Sequence, residues 1–544
     1  MTEKKVKPDV ALLALSTMEG DNEKAFRLVE FYNQNRGEQI QLLLAATDIA
    51  DQRSLYSKLV ANGLRLNVSE ADKELINDIL RENSKERVQL CLRPGFTEND
   101  SNYLTASGVI LGKKKGFGPL PYPEAQTFFY DEQTRGKLES WQQKVALLAK
   151  GNSRLILALC SAFSAPCIHL TDIESGGFHF YAPSSQGKST LMLMAASVFG
   201  NNQFVKKWHM TDAAFEQAAE ARNDGLLLLD ELKLLHSKPT EAAAMAQSRI
   251  YILGSGFGKQ RHTGYQKTVA RWRLVMLSTG EFSLGQHATE GNLSRLDGEK
   301  VRVVDVPADA GADIGIFDTV PEGMSPRGLA ERIQRQCELY YGTAAPAFIT
   351  KMLKEGHNSV KKQILEYIAH FMEHHEIDED NGIEVRIGKR FALAYASGVL
   401  ASEYGILPLT EKEIMEGISS CYNAANGAPV KGFDFSSKFK AALESKLPNL
   451  HNKKTYTAEK LNKKPILLTK MNKIEVYAVN TTFFEKNTTG KVKKNDVLDY
   501  LRQEQILYPD SKGKSTRAVP YNRESLKRRY CLVKDKLDAW LAGE

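Results

Sequence analysis

The chain has 544 residues, 42% of them hydrophobic and 26% charged, which excludes a disordered or fibrous protein and predicts about three or four globular domains. The formal net charge is +7, but residues 431–544 carry 25 Lys+Arg against 13 Asp+Glu, so we expect this end to bind nucleic acid, with a lysine-rich solubilising surface as the alternative. No signal-peptide core follows the charged amino terminus and the six cysteines form no CxxC pair, which predicts a cytoplasmic protein without a disulfide framework.

Residues 1–150 predict a small α/β domain, or a pair of subdomains, without a chemical motif. Apolar runs at residues 39–46 and 88–92 alternate with helical stretches such as residues 25–32. The most apolar stretch of the chain, residues 155–170, is short for a bilayer span and is interrupted by two serines and Pro166. We therefore expect a core helix packed behind a sheet, and no membrane partner.

The most informative motif begins at residue 182. The sequence APSSQGKS has the spacing of a phosphate-binding P-loop, with alanine in place of the first glycine, and it lies between an apolar strand at 178–181 and a helical stretch at 191–198. Gly187 allows the backbone to turn close to a phosphate, which Lys188 would reach. A Gly/Ser-rich turn before a helix is the alternative. The predicted nucleotide-binding residues are Ala182, Pro183, Ser184, Ser185, Gln186, Gly187, Lys188, Ser189 and Thr190.

A second motif makes a nucleotide site the better interpretation. Residues 226–229 form an apolar run typical of a strand buried on both faces of a parallel sheet, and the run ends in Asp230 and Glu231. We expect Asp230 and Ser189 to hold Mg²⁺, and Glu231 to orient and deprotonate the attacking water. The two motifs together predict an enzyme that hydrolyses ATP. His179, in the strand before the loop, is predicted to be a packed core residue rather than a catalytic group.

A glycine-rich segment, residues 254–267, precedes a third apolar strand at 273–277. Its cations Lys259, Arg261 and Lys267 suit phosphates, and Phe257 or Tyr265 could stack on bases. The segment therefore predicts a DNA-binding hairpin, with an ordinary charged surface loop as the alternative.

The remainder of the chain predicts two further domains. Apolar residues at helical spacing from Val360 to Met372, and a buried helix at 391–403, predict an all-α lid over residues 346–430. In residues 431–544, a helix from Asn495 to about Gln503 precedes two basic strands, 512–517 and 527–533. This order predicts a winged-helix-like domain, with a lysine-rich α/β cap as the alternative. Its predicted DNA contacts are Lys512, Lys514 and Arg517.

The order of these motifs resembles a known family. The run from residue 176 to 200 and the sequences NDGLLLLDEL, GSGFGKQR, WRLVMLSTGE and VRVVDVPAD resemble the domain of unknown function numbered 927, a family of P-loop ATPases of plasmids, prophages and other mobile elements. The similarity is strongest over residues 90–345. The resemblance implies an AAA+ core at residues 151–345, similar to minichromosome-maintenance and superfamily 3 replicative helicases, which act as hexameric rings on DNA.

The resemblance also implies roles for residues outside the two motifs. Ser278 or Thr279, at the end of the third strand, would sense the γ-phosphate. Arg295 in NLSRLD, or Arg302 in VRVVD, would reach the neighbouring subunit's site as an arginine finger, and we favour Arg295. Arg390 is similar in placement to a lid arginine that senses the γ-phosphate. For each residue a purely structural role is the alternative.

The sequence thus predicts an ATP-dependent DNA helicase or translocase of a mobile genetic element, working as a homo-hexamer on single-stranded or forked DNA, with other replication proteins of that element as further expected partners. A nucleotide-switched DNA-binding initiator or scaffold without unwinding activity is the main alternative. A protein-remodelling ATPase is a third hypothesis, which the basic hairpin argues against.

Overall fold

The computed structural model describes residues 10–17, 25–91, 93–113, 116–121, 132–259, 261–263, 266–312, 314–426, 434–450, 456–489, 494–510, 514–521 and 524–542. The chain forms two compact units, Met1–Tyr422 and Asn423–Glu544.

Within the described residues, the N-terminal part of the first unit consists of two small sheets and three helices. The elements are β1 (Val10–Thr17), β2 (Phe26–Asn33), β3 (Glu38–Ala45), α1 (Ala46–Ala50), α2 (Gln52–Ala61), α3 (Glu70–Arg81), β4 (Arg87–Cys91), β5 (Gly95–Phe96), β6 (Asn102–Leu104), β7 (Ile110–Gly112) and β8 (Leu120–Pro121). A mixed sheet has the strand order β3-β2-β1-β4-β8, and an antiparallel sheet has the order β5-β6-β7.

The predicted α/β character of this region is confirmed, but the predicted helix at residues 25–32 is wrong. This segment is β2, which pairs antiparallel with β1 on one side and with β3 on the other. Phe26, Leu28, Val29 and Phe31 are buried. Because β2 lies inside the sheet, its backbone hydrogen-bonds on both sides and its aromatic and β-branched residues pack on the pleated surface, which outweighs the weak helical spacing.

The central part of the first unit is built on a parallel sheet. The elements are α4 (Leu138–Lys144), α5 (Ser153–Cys167), β9 (Gly176–Tyr181), α6 (Lys188–Ala196), β10 (Val205–Lys207), α7 (Asp212–Glu220), β11 (Gly225–Asp230), α8 (Pro239–Ser255), β12 (Arg261–Thr263), β13 (Gln266–Thr268), β14 (Leu274–Gly280), α9 (Leu284–Glu290), α10 (Asp297–Lys300), β15 (Val303–Pro307) and α11 (Pro326–Leu339). The strand order of the sheet is β10-β11-β14-β9-β15, and every neighbouring pair is parallel. The predicted parallel α/β core is confirmed.

The apolar stretch at residues 155–170 is a core helix, as predicted. Every residue of α5 is buried, and the helix packs against β11 and β14. The segment Ser153–Leu170 is long and apolar enough to cross a membrane, but 94% of it is buried inside the protein. Its hydrophobicity is therefore accounted for by its place in the core of the first unit.

A helical region completes the first unit. It consists of α12 (Ala344–Glu355), α13 (His357–His374), α14 (Gly382–Glu403) and α15 (Glu411–Ala425). The predicted apolar spacing is confirmed in α13, where Val360, Ile364, Ile368 and Phe371 are buried. α14 packs along α5, and its Phe391 ring lies 4.6 Å from the Phe178 ring of β9. The region is all-α as predicted, but α14 is a helix of the core.

The second unit contains a four-stranded antiparallel sheet and a short pair of strands. The elements are β16 (Asp434–Phe435), α16 (Ser437–Glu444), α17 (Ala458–Lys463), β17 (Ile466–Met471), β18 (Ile474–Asn480), α18 (Thr481–Asn487), β19 (Thr488–Thr489), α19 (Lys494–Gln503), β20 (Thr516–Tyr521), β21 (Glu524–Val533) and α20 (Lys534–Ala542). The strand order of the sheet is β17-β18-β21-β20, and β16 pairs with β19. Helix α19 is followed by the β20-β21 hairpin, which confirms the predicted order of helix and hairpin.

The hairpin differs from the prediction in its surroundings. β21 also pairs with β18, so the hairpin is half of a larger sheet, and the predicted first strand begins at Thr516 instead of residue 512. Arg529 of β21 is 1% exposed and donates to the carbonyl oxygens of Leu461 and Lys464. The basic charge of β21 is therefore used in part to hold the unit together.

Candidate functional site

The carboxyl ends of three neighbouring strands meet at one edge of the parallel sheet. β14 lies between β9 and β11, with Gly280 paired to Tyr181 and Ser278 paired to Leu229. Because parallel strands end at the same edge, loop 182–187 after β9 and the acidic pair Asp230–Glu231 at the end of β11 lie on either side of the end of β14. The sheet thus brings together the two motifs that the sequence predicted to cooperate.

Loop 182–187 has the backbone of a tight turn. Ser185 and Gly187 have positive φ angles of 66° and 91°, and Gly187 is the residue that caps the start of α6. A side chain on Gly187 would lie 2.9 Å from the Ile316 side chain, so glycine is required by both φ and space. The first N–H groups of α6 have no acceptor within an α-helix, and they open toward this loop. This geometry suits an anion.

Lys188 folds back over the loop. Its Nζ donates to the carbonyl oxygens of Ala182 at 2.6 Å and Pro183 at 2.9 Å. Burial lowers the pKa of Lys188, while the carboxylates of Glu281 and Asp230 act in the opposite direction. The ammonium group is held by neutral carbonyls inside the loop, where a phosphate would be its counter-ion.

The side of the loop nearest β14 is fixed by Glu281. The Ser184 hydroxyl donates to Glu281 Oε1 at 2.8 Å, and Lys233 Nζ lies 2.9 Å from Glu281 Oε2. Hydrogen bonds from Lys233 and Ser184 lower the pKa of Glu281. Glu281 was not among the site residues predicted from the sequence, although an acidic residue directly after an apolar strand is typical of a site at the edge of a parallel sheet.

Ser189 and Thr190, the two hydroxyl residues at the start of α6, differ in their exposure to solvent. Ser189 is exposed beside the loop. Thr190 is buried, and its hydroxyl accepts a hydrogen bond from Gln334 of α11 at 2.8 Å. The Thr190 hydroxyl therefore braces α6 against α11, which leaves the backbone N–H of this residue for an anion, and nucleotide binding by Thr190 stays a prediction.

The acidic pair is held by one cation and one hydroxyl. Asp230 is buried at the end of β11, accepts a hydrogen bond from the Thr279 hydroxyl on one oxygen, and lies 2.8 Å from Lys207 Nζ on the other. Lys207 Nζ also lies 3.2 Å from Glu231 Oε2. Burial alone would lower the pKa of Lys207, but its hydrogen bonds to Asp230 and Glu231 raise it. Lys207 was missed because its strand has only three residues.

Glu231 stands outside the strand in an unusual backbone conformation. Its φ of 60° and ψ of 65° are left-handed, which few non-glycine residues adopt, and its N–H donates to Thr279 Oγ1 at 3.4 Å. The side chain is 52% exposed, whereas the Asp230 side chain is 9% exposed. One carboxylate is thus enclosed and the other opens to solvent, which suits metal binding and proton transfer respectively.

The two hydroxyls predicted as sensors point to different places. Ser278 is fully buried, accepts a hydrogen bond from Trp208 Nε1 at 2.9 Å and lies 2.9 Å from His179 Nδ1. Thr279 contacts both acidic residues. Successive residues of a strand face opposite sides of the sheet, so the structure favours Thr279 over Ser278 as the sensor, and that role stays a prediction. His179 is a buried core residue as predicted, and burial lowers its pKa.

The two candidate trans-acting arginines are engaged within their own chain. Arg295 donates to the Asp305 carboxylate and to the Val303 carbonyl, and its side chain is 10% exposed. Arg302 donates to the Gly298 carbonyl at 2.8 Å and lies 3.3 Å from the Glu174 carboxylate. Arg295 would have to leave Asp305 to act on a neighbour. Both roles stay predictions.

Arg390 lies at the wrong end of the sheet for a phosphate sensor. Its guanidinium donates to the carbonyl oxygens of Val301, Glu174 and Ser175, at the start of β9. Loop 182–187 follows the other end of this six-residue strand, about 17 Å away at the usual rise per residue. Arg390 is also buried. In this chain Arg390 satisfies strand-end carbonyls of the core, which agrees with the structural role given as the alternative, and its role as a γ-phosphate sensor stays a prediction.

The predicted hairpin between the second and third strands is present. β12 and β13 pair antiparallel, and they contain Arg261 and Lys267. Lys259 precedes the hairpin, is 55% exposed and lies 2.8 Å from Asp212, and Phe257 is 53% exposed. The side chains of Arg261 and Lys267, and Tyr265 as a whole, lie outside the described residues.

The basic residues predicted in the second unit are divided. Lys514 is exposed, whereas the Arg517 guanidinium lies 4.8 Å from the Tyr508 ring and donates to the Pro509 carbonyl at 3.1 Å. Lys512 lies outside the described residues. The Arg517 guanidinium therefore already contacts Tyr508 and Pro509, and a bound nucleic acid would have to share or displace these contacts.

Comparison with known proteins places this geometry in context. A family model described as a domain of unknown function, DUF927, matches residues 11–271, slightly less than half of the chain. A solved structure named "SCCmec type IV Cch - active helicase" matches 99% of this chain and 95% of its own, with a TM-score of 0.56 and 19% sequence identity. The chain shares the fold of that structure. No curated protein matches it.

The donors at the edge of the sheet fit a nucleotide with a divalent cation. The left-handed loop and the ammonium of Lys188 offer positive charge to phosphates, and the oxygens of Ser189 and Asp230 are the ligands that Mg²⁺ prefers. Lys207 already pairs with Asp230, so a cation there would replace or share that contact. The site has the parts needed for phosphoryl transfer.

Proposed function

We propose that the protein is a cytoplasmic ATP-driven DNA helicase or translocase of a mobile genetic element. The proposal is supported most by one observation: loop 182–187, the acidic pair and Thr279 lie together at adjacent strand ends. The fold shared with a protein named an active helicase supports the same conclusion. A hexameric ring and other replication proteins as partners follow from the family resemblance.

Each residue of the site has a distinct role in this proposal. Lys188 and the first N–H groups of α6 bind the phosphates of ATP, and Ser189 and Asp230 would hold Mg²⁺. That ion would supply positive charge to stabilise the transferring phosphoryl group. Glu231 accepts the proton of the attacking water, which its exposure allows. Thr279 holds Asp230 and the backbone of Glu231 in their mutual positions.

The β12-β13 hairpin is the proposed contact with single-stranded DNA. It follows α8, which begins just beyond the acidic pair, and it leads into β14, which carries Thr279. Movement of the segment on hydrolysis would therefore be coupled to two strands of the site. Exposed Phe257, at its base, offers a ring on which a base can stack.

The two hydroxyls at the end of β14 give a matched test of the site. Thr279→Val should lower ATP turnover about tenfold or more, because a hydrogen bond to a charged group contributes about 1.5–3 kcal/mol. Ser278→Ala should leave turnover near that of the wild type but lower the free energy of unfolding by about 1–3 kcal/mol, because His179 and Trp208 lose a buried partner. Steady-state phosphate release and thermal melts measure the two effects. The reverse pattern would contradict the assignment of Thr279.

The function itself is tested by phosphate release with and without single-stranded DNA, together with opening of a forked duplex. We expect single-stranded DNA to increase turnover, and the fork to be opened with ATP but not with a non-hydrolysable analogue. The mass of the assembly with nucleotide should be measured in the same samples. An active oligomer that shows neither stimulation nor strand separation would contradict the helicase proposal.

One observation favours the second candidate, a nucleotide-switched DNA-binding initiator. Lys207 lies beside the carboxylate of Glu231 as well as that of Asp230, so in this structure the carboxylate of the proposed base is already paired with a cation. Such pairing is compatible with a site that binds ATP and hydrolyses it slowly. The fork-opening assay distinguishes the two candidate functions, because a helicase opens the forked duplex and an initiator does not.

A further inference from the structure

Two histidines and an aspartate meet outside the nucleotide site, at a junction of three segments. Asp100 lies between β5 and β6, His169 lies in the short helix Ile168–Leu170 that follows α5, and His357 is the first residue of α13. Their ligating atoms all lie within 4.8 Å of one another. The junction therefore joins the N-terminal region, the core and the helical region of the first unit.

The spacing of these atoms matches that of metal ligands. Asp100 Oδ1 lies 3.0 Å from His169 Nε2, and Asp100 Oδ2 lies 3.3 Å from His357 Nδ1. Zinc–ligand bonds of about 2.0–2.2 Å in tetrahedral geometry place ligand atoms about 3.3–3.6 Å apart. The two contacts of Asp100 are close to this separation, and the ligand atoms of the two histidines lie within 4.8 Å of each other.

His169 has a carboxylate at each of its ring nitrogens. Its Nδ1 lies 3.4 Å from Asp224 Oδ1, in addition to the contact of Nε2 with Asp100. Asp224 is buried and is fixed by the Phe96 N–H at 3.1 Å and by Asn223 Nδ2 at 3.2 Å. A neutral imidazole can donate to only one of two carboxylates. With a cation on Nε2, Nδ1–H donates to Asp224, which is the usual outer support of a metal-binding histidine.

Aromatic packing holds both imidazoles in place. The Phe96 ring lies 4.8 Å from the His169 ring and 4.8 Å from the His357 ring. All three candidate ligands are partly buried, and none of them belongs to the nucleotide site. The donor atoms are thus pre-positioned in a partly dry junction.

We propose that Asp100, His169 and His357 bind one Zn²⁺ ion, with water in the fourth position. Two imidazole nitrogens and a carboxylate oxygen are ligands that zinc accepts. The ion would cross-link the three segments and so stabilise their arrangement. This site is independent of the proposed helicase function.

The test is a titration of the untagged full-length protein, stripped with a chelator, with Zn²⁺ alone in excess Mg²⁺. We expect one equivalent to bind, and Asp100→Asn and His357→Ala to weaken binding at least tenfold, since loss even of an outer support typically costs about 10–100-fold. Asp100→Asn keeps size and hydrogen-bonding capacity, which protects the fold. The control is His236→Ala, because His236 lies 3.1 Å from Glu241 on the surface but belongs to no group of three ligands among the described residues.

A thermal melt gives a second measurement that separates the site from chance binding. Zn²⁺ should raise the melting temperature of the wild type and of His236→Ala by mass action, but not that of Asp100→Asn. Folded wild-type protein that binds no stoichiometric Zn²⁺, or an Asp100→Asn variant that binds it equally well, would overturn the proposal. Either result would mean that the three side chains are held by hydrogen bonds without a metal ion, with a protonated His169 donating to both Asp100 and Asp224.

Discussion

Replacement of Lys188 by alanine should lower ATP turnover by about 10²-fold or more and weaken ATP binding. The Lys188 ammonium group lies inside loop 182–187, where it donates hydrogen bonds to the carbonyl oxygens of Ala182 and Pro183. Among the described residues, it is the one cation in the loop. Removing a positioned donor from the developing charge of a transition state typically costs about 10²–10³-fold in rate. Phosphate release and equilibrium binding of a fluorescent ATP analogue measure the two effects.

The matched control for this variant is Lys300→Ala. Lys300 is 47% exposed and pairs with Asp297 on α10, and such exposed pairs contribute about 0–1 kcal/mol to stability. The control should retain turnover, and both variants should melt close to the wild type. Turnover by Lys188→Ala at the wild-type rate, in folded protein, would contradict the assignment of the loop.

Replacement of Glu231 by glutamine should separate binding from hydrolysis. Glutamine keeps the size of the side chain and the backbone of this left-handed position, but it cannot accept a proton. General-base catalysis typically contributes about 10²–10⁴-fold, so we expect a loss of turnover in that range with ATP binding retained. Single-turnover hydrolysis and binding isotherms provide the measurement.

The same variant distinguishes the motor from the switch. Glu331→Gln, which removes an exposed carboxylate paired with Arg327, is the control and should behave like the wild type. A motor with Glu231→Gln should bind DNA and ATP but fail to open a fork and fail to support replication of its element. Full biological function of this variant would contradict the motor and favour the initiator.

The candidate site was predictable where it is local in sequence. Loop 182–187 and the pair Asp230–Glu231 could be found because glycine, lysine and carboxylates follow apolar strands at recognisable spacing. The sensor hydroxyl could be predicted only as that of Ser278 or that of Thr279. The choice depends on which side of β14 each residue faces, and that depends on Trp208, His179 and Asp230, which are distant in sequence.

Other features of the structure depend on contacts between distant segments, which the spacing of residues in the sequence does not predict. β2 has enough helical spacing to suggest a helix, and its partners β1 and β3 decide otherwise. Arg390 has the position in sequence expected of a sensor, but α14 packs it against the start of β9. The junction of Asp100, His169 and His357 joins three segments far apart in the chain. Each of these results from tertiary contacts.

The nucleotide site as a whole is tested most directly by the nucleotide that the folded protein retains after mixing with ATP and Mg²⁺. Chromatography of the bound fraction should find ADP in the wild type, ATP in Glu231→Gln and little nucleotide in Lys188→Ala. Wild-type protein that is folded and retains neither ATP nor ADP, and releases no phosphate, would contradict the account.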